Sequence, residues 1–556
     1  MPNTTPSTSI YLYASQWLCI LFCIAWVLHL PLTEHVYLGA QTRDSFDHIA
    51  LLDHWGITNT IWNYPAGGQI IPPDIFSMIF ALPWLWISRS LAYNMAICTH
   101  CVCNAVAGWY LGKTVQASPF VCAISIALSP YMIGQINSGE TETLALWGLI
   151  FSVAFLHQKR WRIAGVWMTC TAIASWYYGA YIAIIAFCWV GYELIRYKNT
   201  DSLHTFLVAG LGTSVPAYIY YTVLESDSQM FRGPDMHTYI TDHPRALTAF
   251  SSDPSYWFSE VPVDANHIDS LGWVYILVAG MGIFRFYRTN IMWLWLIILG
   301  LVMSLGPQLH LEHTVVWDIM PYDILLQIPF FDAMRLPHRW LSITSIGLSV
   351  YIAMVANMLA KDAAWIFVLL LVGETQYFFP NITNFTLVLP SILSEIHGPL
   401  LDLPTRTMLI HTTDMSNAIP QDARGRHLVM QRWHHQPIPY SLLMQGWSTE
   451  IAENALVIAT TALDSKDPIS KRPIESQQFR QAQFSLAVAD WLTIKDSDKR
   501  EKLVQATQEL QSIGIQHVCL HLDLLEQADI ADIVGLLEQY LGNPTLRTES
   551  EILWNL

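Results

Sequence analysis

The sequence predicts an α-helical polytopic membrane protein of about eleven transmembrane helices with a C-terminal α/β domain outside the cytoplasm. Three observations predict it. The chain has 556 residues, 53% hydrophobic and only 13% charged, with a mean hydropathy of +0.33, which sets it apart from soluble domains. Apolar runs recur along its first two thirds. Near residue 381 those runs stop and charges become frequent.

The runs lie at 10–30, 92–111, 119–131, 144–156, 163–176, 178–194, 206–224, 271–284, 291–305, 341–359 and 363–377. A hydrocarbon core about 30 Å thick asks for about 20 residues of helix, so the shorter runs draw on flanking Trp, Tyr and small polar residues. The stretch 75–87 lies among Pro72, Pro73 and Pro83 and reads as an interfacial or re-entrant helix. Lys113, the turn Lys159-Arg160-Trp161-Arg162, Arg196 with Lys198, Arg285 with Arg288, and Lys361 fall in alternate short connections. Short cytoplasmic loops hold the excess of Lys and Arg, so these connections are expected inside, and the amino terminus with them. Loops 31–91, 132–142, 225–270 and 306–338 are then external, as is everything beyond 380. No basic region precedes the first run and no small-residue cleavage site follows it, so it is expected to be a retained helix. The domains expected are a transmembrane module, 1–380, and an extracytoplasmic domain, 381–556.

The second domain carries 13 basic against 21 acidic residues, a balance that argues against nucleic acid as a partner. Runs 513–521 and 551–556 read as strands, and 496–512 and 524–541 as amphipathic helices, which makes an α/β layer. Eight of the nine cysteines lie in predicted helices. Cys98-Thr99-His100-Cys101-Val102-Cys103 has a metal-binding look, but inside an apolar helix its cysteines act as small hydrophobes. The sequence carries no phosphate-binding glycine loop. A sugar transferase working outside the cytoplasm would have no access to nucleotide sugars and would need a lipid-linked donor.

The strongest site candidates follow the first run, in Thr42-Arg43-Asp44-Ser45-Phe46-Asp47-His48. Carboxylates at a membrane surface beside aromatic rings suit chemistry on a polar group carried by a lipid, because a carboxylate accepts a proton or holds a metal while rings pack on sugar faces. Asp44 and Asp47 are the candidate catalytic groups, three residues apart on one helical face. His48, Trp62 and Tyr64 are candidates for acceptor or sugar contacts. The alternative is a solvated loop start. Arg335, His338 and Arg339 precede a spanning run, where an Arg fork can grip a donor phosphate; anchoring to lipid headgroups is the competing role. Arg232, His237, His243, Arg245 and His267, and Gln431, His434 and His435 of the last domain, are weaker candidates.

A first helix, an external loop with early acidic residues, many further helices and an external C-terminal domain resemble the GT-C class of membrane glycosyltransferases. Shorter stretches resemble more closely a group of bacterial multi-spanning, glycosyltransferase-like proteins. They are 44–55, Asn63-Tyr64-Pro65-Ala66-Gly67-Gly68, Ala92-Tyr93-Asn94, Ser129-Pro130-Tyr131, Ser175-Trp176-Tyr177-Tyr178-Gly179, 329–339, Leu401-Asp402-Leu403-Pro404 and Gly514-Ile515-Gln516-His517-Val518. In the GT-C class an acidic residue of the first external loop serves as general base or orients the acceptor, and Asp44 and Asp47 match it. The Asp-Glu pair of the O-mannosyltransferases is missing, which leaves the base open between them. In oligosaccharyltransferases an acidic pair in the loop equivalent to Glu140-Thr141-Glu142 helps hold a divalent metal. The resemblance therefore implies magnesium or manganese on Glu140, Glu142 and Asp47, against the simpler reading that the two glutamates begin a helix.

The function expected is transfer of a sugar from a polyprenyl-phosphate donor to a glycan, lipid or protein acceptor on the outer side of a bacterial inner membrane, with membrane lipids as the other partners. The rival is a lipid or glycan transporter, or an envelope assembly protein without chemistry. Ionisable residues inside spanning helices would favour transport. The predicted spans are almost free of them.

Overall fold

The computed structural model describes residues 6–39, 48–49, 74–226, 251–257, 271–311, 314–328, 336–359, 363–378, 384–386, 396–404, 454–464 and 490–556. Contacts divide the chain into two units. The first is Met1–Ala40, Pro73–Ile219 and Leu247–Thr386, and the second is Gln41–Pro72, Tyr220–Ala246 and Leu387–Leu556.

The first unit is helical. Among the described residues its helices are α1 (Pro6–Leu28), α2 (Ile75–Ala81), α3 (Arg89–Thr114), α4 (Pro119–Ala127), α5 (Pro130–Ser138), α6 (Leu146–His157), α7 (Trp161–Ala174), α8 (Trp176–Tyr197), the start of α9 (His204–Ser226), α10 (Trp273–Phe286), α11 (Ile291–Ser304), α12 (Pro321–Leu326), α13 (Leu341–Met358) and α14 (Ala363–Phe378). Three apolar stretches are long enough to cross a membrane by length and composition: Pro119–Asn137, Trp176–Tyr197 and Pro337–Met358. Six apolar helices of 10–17 residues accompany them among the described residues.

Local chemistry sets the helix starts. Ser88, Ser118 and Ser129 cap α3, α4 and α5 by accepting from the amides of Leu91, Val121 and Met132, and proline follows directly in the last two cases. The run 119–131, expected as a single helix, breaks at Ser129-Pro130 because Pro130 has no amide to continue α4 and starts α5 instead. Stretch 75–87 forms only the short α2 and a turn of 3-10 helix, Leu82–Trp84, with Pro83 inside it.

Small residues set the helix spacing. A Cβ on Gly112 of α3 would stand 2.8 Å from the Cα of Pro119 and 3.0 Å from the Cβ of Cys122, so glycine there lets α3 and α4 pack backbone to backbone. Gly347 does the same for α13 against α11, where an added Cβ would meet the Trp293 carbonyl at 2.9 Å.

Two short strands tie distant parts of this unit. β1 (Val36–Leu38) pairs antiparallel with β4 (Asn384–Thr386), Val36 opposite Thr386. The segment after α1 and the segment after α14 therefore run side by side. Asn94 of α3 holds β1 from the other direction: its amide nitrogen donates to the Pro31 and Val36 carbonyls at 3.1 and 2.9 Å, and its oxygen accepts from Leu38 at 2.9 Å. The Ala92-Tyr93-Asn94 motif thus works as a clasp on the loop that leads to Asp44. A hairpin of β2 (Leu309–Leu311) and β3 (Thr314–Trp317) follows α11.

The second unit contains a four-stranded sheet in the order β5-β6-β8-β7, from β5 (Leu400–Leu403), β6 (His517–His521), β7 (Leu546–Arg547) and β8 (Glu551–Asn555). β5 is parallel to β6, and the other pairs are antiparallel. Helices α15 (Ala455–Leu463), α16 (Asp496–Ser512) and α17 (Gln527–Leu541) belong to the same unit. Leu503, Ala506 and Leu510 of α16, spaced three and four apart, form its buried stripe.

Candidate functional site

Arg339, Glu140 and Glu142 meet in the first unit. α5 ends at Gly139, whose φ of 76° turns the chain sharply into Glu140 and a 3-10 turn, Thr141–Leu144. A second 3-10 turn, Pro337–Trp340, leads into α13 and carries His338 and Arg339, both buried. Arg339 donates from Nη1 to Glu142 Oε1 at 3.1 Å and from Nη2 to Glu140 Oε2. Its guanidinium also lies over the Tyr177 ring, 4.2 Å from Cζ to the centroid. The two glutamates are only partly exposed, so the ion pairs work in a medium where charges interact more strongly than in water.

Tyrosines surround this cluster. Tyr131 and Tyr178 hydroxyls lie 2.8 Å apart, and Tyr178 donates to the Thr143 carbonyl, which fixes the acidic turn to α8. Tyr181, one helical turn beyond Tyr177, stacks on Trp340 with ring centroids 4.0 Å apart. Burial first, with Tyr177 adding to it and Arg339 opposing, holds the Tyr322 phenol well above its ordinary pKa, so it serves as a neutral hydrogen-bonding group. In this cluster the buried donors Arg339 Nε, Trp340 Nε1 and the Tyr181 hydroxyl have no hydrogen-bond partner among the described residues. Buried donors are rarely left so without a ligand or water to receive them.

One guanidinium faces two carboxylates, so the cluster keeps an excess of negative charge. That charge, with aromatic faces and unspent donors, suits a polyhydroxylated ring: carboxylates accept from hydroxyls, donors reach ring and hydroxyl oxygens, and tyrosine faces pack on C–H surfaces. Magnesium asks for about six oxygen ligands. Glu140 and Glu142 are the two acidic residues of the expected metal set that are described, and each already gives an oxygen to Arg339. Alone, the pair does not complete a metal site.

The sequence candidates separate accordingly. Glu140, Glu142, His338 and Arg339 come together on two adjoining turns, and the Arg339 fork expected for a phosphate is engaged by the acidic pair expected for a metal. Asp44, Asp47, Trp62, Tyr64 and Arg335 lie outside the described residues, as do Arg232, His237, His243, Arg245, His267, Gln431, His434 and His435. His48 is helical and half-buried. Sequence reasoning gave no role to Tyr178, Tyr181 and Trp340. Their signal was present in the tyrosines at 177, 178 and 181, which a helix gathers at its first turn.

A second buried polar chain runs through α2, α3 and α6. Ser77 donates to Asp74 and lies 2.7 Å from His100 Nε2, while Trp147 Nε1 donates to His100 Nδ1 at 3.2 Å. Indole N–H is only a donor, so Nδ1 accepts, Nε2 carries the proton, and the ring is neutral. His100 is thereby a link between helices, with Cys98, Cys101 and Cys103 beside it as free thiols.

No family model and no curated protein matches the sequence. Solved structures do. The arabinofuranosyltransferase AftD from Mycobacteria is similar over 98% of this chain, at a TM-score of 0.54 and 10% identity. A variant form of AftD gives the same TM-score, identity and coverage of this chain. The oligosaccharyltransferase AglB from Archaeoglobus fulgidus is similar more remotely, over 93% of this chain and 70% of its own, at a TM-score of 0.45 and 10% identity, too low to carry weight. The chain spans 39% of the length of AftD. At such identity the likeness speaks to the fold alone: this chain has the GT-C fold of membrane glycosyltransferases.

Proposed function

We propose that the protein is an integral membrane glycosyltransferase that moves a sugar from a polyprenyl-phosphate donor to an extracytoplasmic acceptor. It crosses a bacterial inner membrane about eleven times, with its amino terminus in the cytoplasm. The observation that carries this reading is the Arg339–Glu140–Glu142 cluster, walled by tyrosines and holding unspent buried donors, in a chain of GT-C fold. Glu140 and Glu142 accept from sugar hydroxyls, Tyr177 gives the ring a face, and Arg339 keeps two carboxylates together at a depth where they would otherwise repel.

The reaction is a direct displacement. Asp44 or Asp47 takes the proton of an acceptor hydroxyl, the acceptor oxygen bonds to the anomeric carbon, and the bond from that carbon to the phosphate oxygen breaks. Polyprenyl phosphate leaves, with Arg335 offsetting its charge. A single displacement inverts the anomeric centre.

The experiment is transfer by purified protein from a polyprenyl-phosphate sugar. Asp44→Asn keeps size and most hydrogen bonds, and its turnover should fall by about 10² to 10⁴. Asp47→Asn should fall less, unless the two exchange roles. Full activity in the double variant would remove the base from this loop. A parent protein that binds the donor and never cleaves it would favour a transporter or assembly role.

A further inference from the structure

The sheet of the second unit brings four ionisable side chains to one place. Strand register sets Asp402 of β5 opposite Cys519 of β6, and His521 of β6 opposite Glu551 of β8. Side chains alternate along a strand, so all four stand on the same face of the sheet. Each is buried to within 1% of fully. His521 Nε2 lies 2.9 Å from Asp402 Oδ1, and His521 Nδ1 lies 4.0 Å from Glu551 Oε1. The other oxygen of Glu551 accepts from Thr548 at 3.0 Å and from Ser550 at 2.7 Å. One donor atom each from Asp402, Cys519 and His521 all lie within 4.8 Å of one another.

We propose that Asp402, Cys519 and His521 bind a zinc ion, and that Glu551 orients His521 from behind. Charge supports it. The Asp402 carboxylate and the Cys519 thiolate on the metal offset one divalent cation, while the Glu551 carboxylate is met by the hydroxyls of Thr548 and Ser550. Donor chemistry supports it as well, because nitrogen, sulfur and oxygen together suit zinc, whereas magnesium and calcium take oxygens alone.

Geometry agrees. Tetrahedral zinc holds its ligand atoms about 3.3 to 3.6 Å apart, and the present separations, from 2.9 Å to within 4.8 Å, bracket that range. The donors sit on paired strands, so small side-chain shifts suffice. With Nε2 turned to the metal, the Nδ1 proton faces Glu551, the carboxylate–histidine–metal arrangement that fixes a ligand's tautomer. Binding releases the Cys519 thiol proton. The site is independent of the sugar chemistry proposed above, and its failure would leave that reading untouched.

The test uses full-length protein in detergent, stripped with chelator and titrated with Zn²⁺ and, separately, Co²⁺. One tightly held ion per chain is expected, with the cobalt form showing a thiolate-to-metal charge-transfer band and tetrahedral d–d bands. Cys519→Ser should abolish the charge-transfer band. A variant that keeps Cys519 and has the other eight cysteines replaced should retain it, which separates loss of a ligand from loss of fold. Parent protein that takes up neither ion, or a Cys519→Ser variant with unchanged cobalt bands, would overturn the proposal and leave Asp402 and His521 as a closed ion pair.

Discussion

Arg339 is held by two carboxylates and a tyrosine face, and the cost of disturbing it separates structure from chemistry. Arg339→Ala leaves Glu140 and Glu142 close together without a counter-charge, and breaking a buried pair from one side typically costs about 3 to 5 kcal/mol. Its thermal stability in detergent should drop clearly below that of the parent. Replacing both glutamates by Gln in the Arg339→Ala background removes the repulsion and should recover most of that loss. If Arg339→Ala melts with the parent, the charges are solvated and the cluster is looser than the 3.1 Å contact to Glu142 implies. At this scale the sequence marked Glu140, Glu142 and Arg339 as functional candidates by residue type and loop position. It could not pair them, because nearly two hundred residues lie between them. The tyrosines were harder to see, since in a chain with 24 of them a tyrosine on a helix is unremarkable until its neighbours are known.

Helices were legible where an apolar run had polar ends. The run 163–176 corresponds to Trp161–Ala174, and 496–512 is a helix over those same residues. Boundaries failed at Ser-Pro, where hydrophobicity continues through a break that backbone chemistry imposes. Strands β1, β4 and β5 were missed: each has at most four residues, too few for alternation to register, and each depends on a partner far away in the chain; β7, with two residues, is too short to register at all. The α3–α4 contact offers the test at this scale. Gly112→Val places carbon atoms where Pro119 and Cys122 already stand, and such overpacking typically costs about 1 to 3 kcal/mol. The melting temperature in detergent should fall while donor binding by the folded fraction persists. An unchanged melting temperature would mean that α3 and α4 can separate freely.

For the whole molecule, the β1–β4 pairing bears on topology. The chain after α1 and the chain after α14 can pair only if both emerge on one side of the membrane. In the topology proposed from the alternation of Lys and Arg between short loops, that side is the outer one. In a background without native thiols, Ser45→Cys and Arg500→Cys should both react with an impermeant reagent added from outside. Labelling only after the membrane is opened would invert the topology and put the acidic loop beyond reach of an external acceptor.

The central claim is that the Arg339 cluster is a sugar site and more than a brace between turns. Its most direct test is sugar transfer from a polyprenyl-phosphate donor in lipid nanodiscs, comparing the parent with the stability-restored variant Arg339→Ala/Glu140→Gln/Glu142→Gln. Transfer by the parent is expected, with a loss of about 10² or more in the folded variant, since the carboxylates that accept from the sugar are gone. Transfer by the variant at the parent's rate would contradict it.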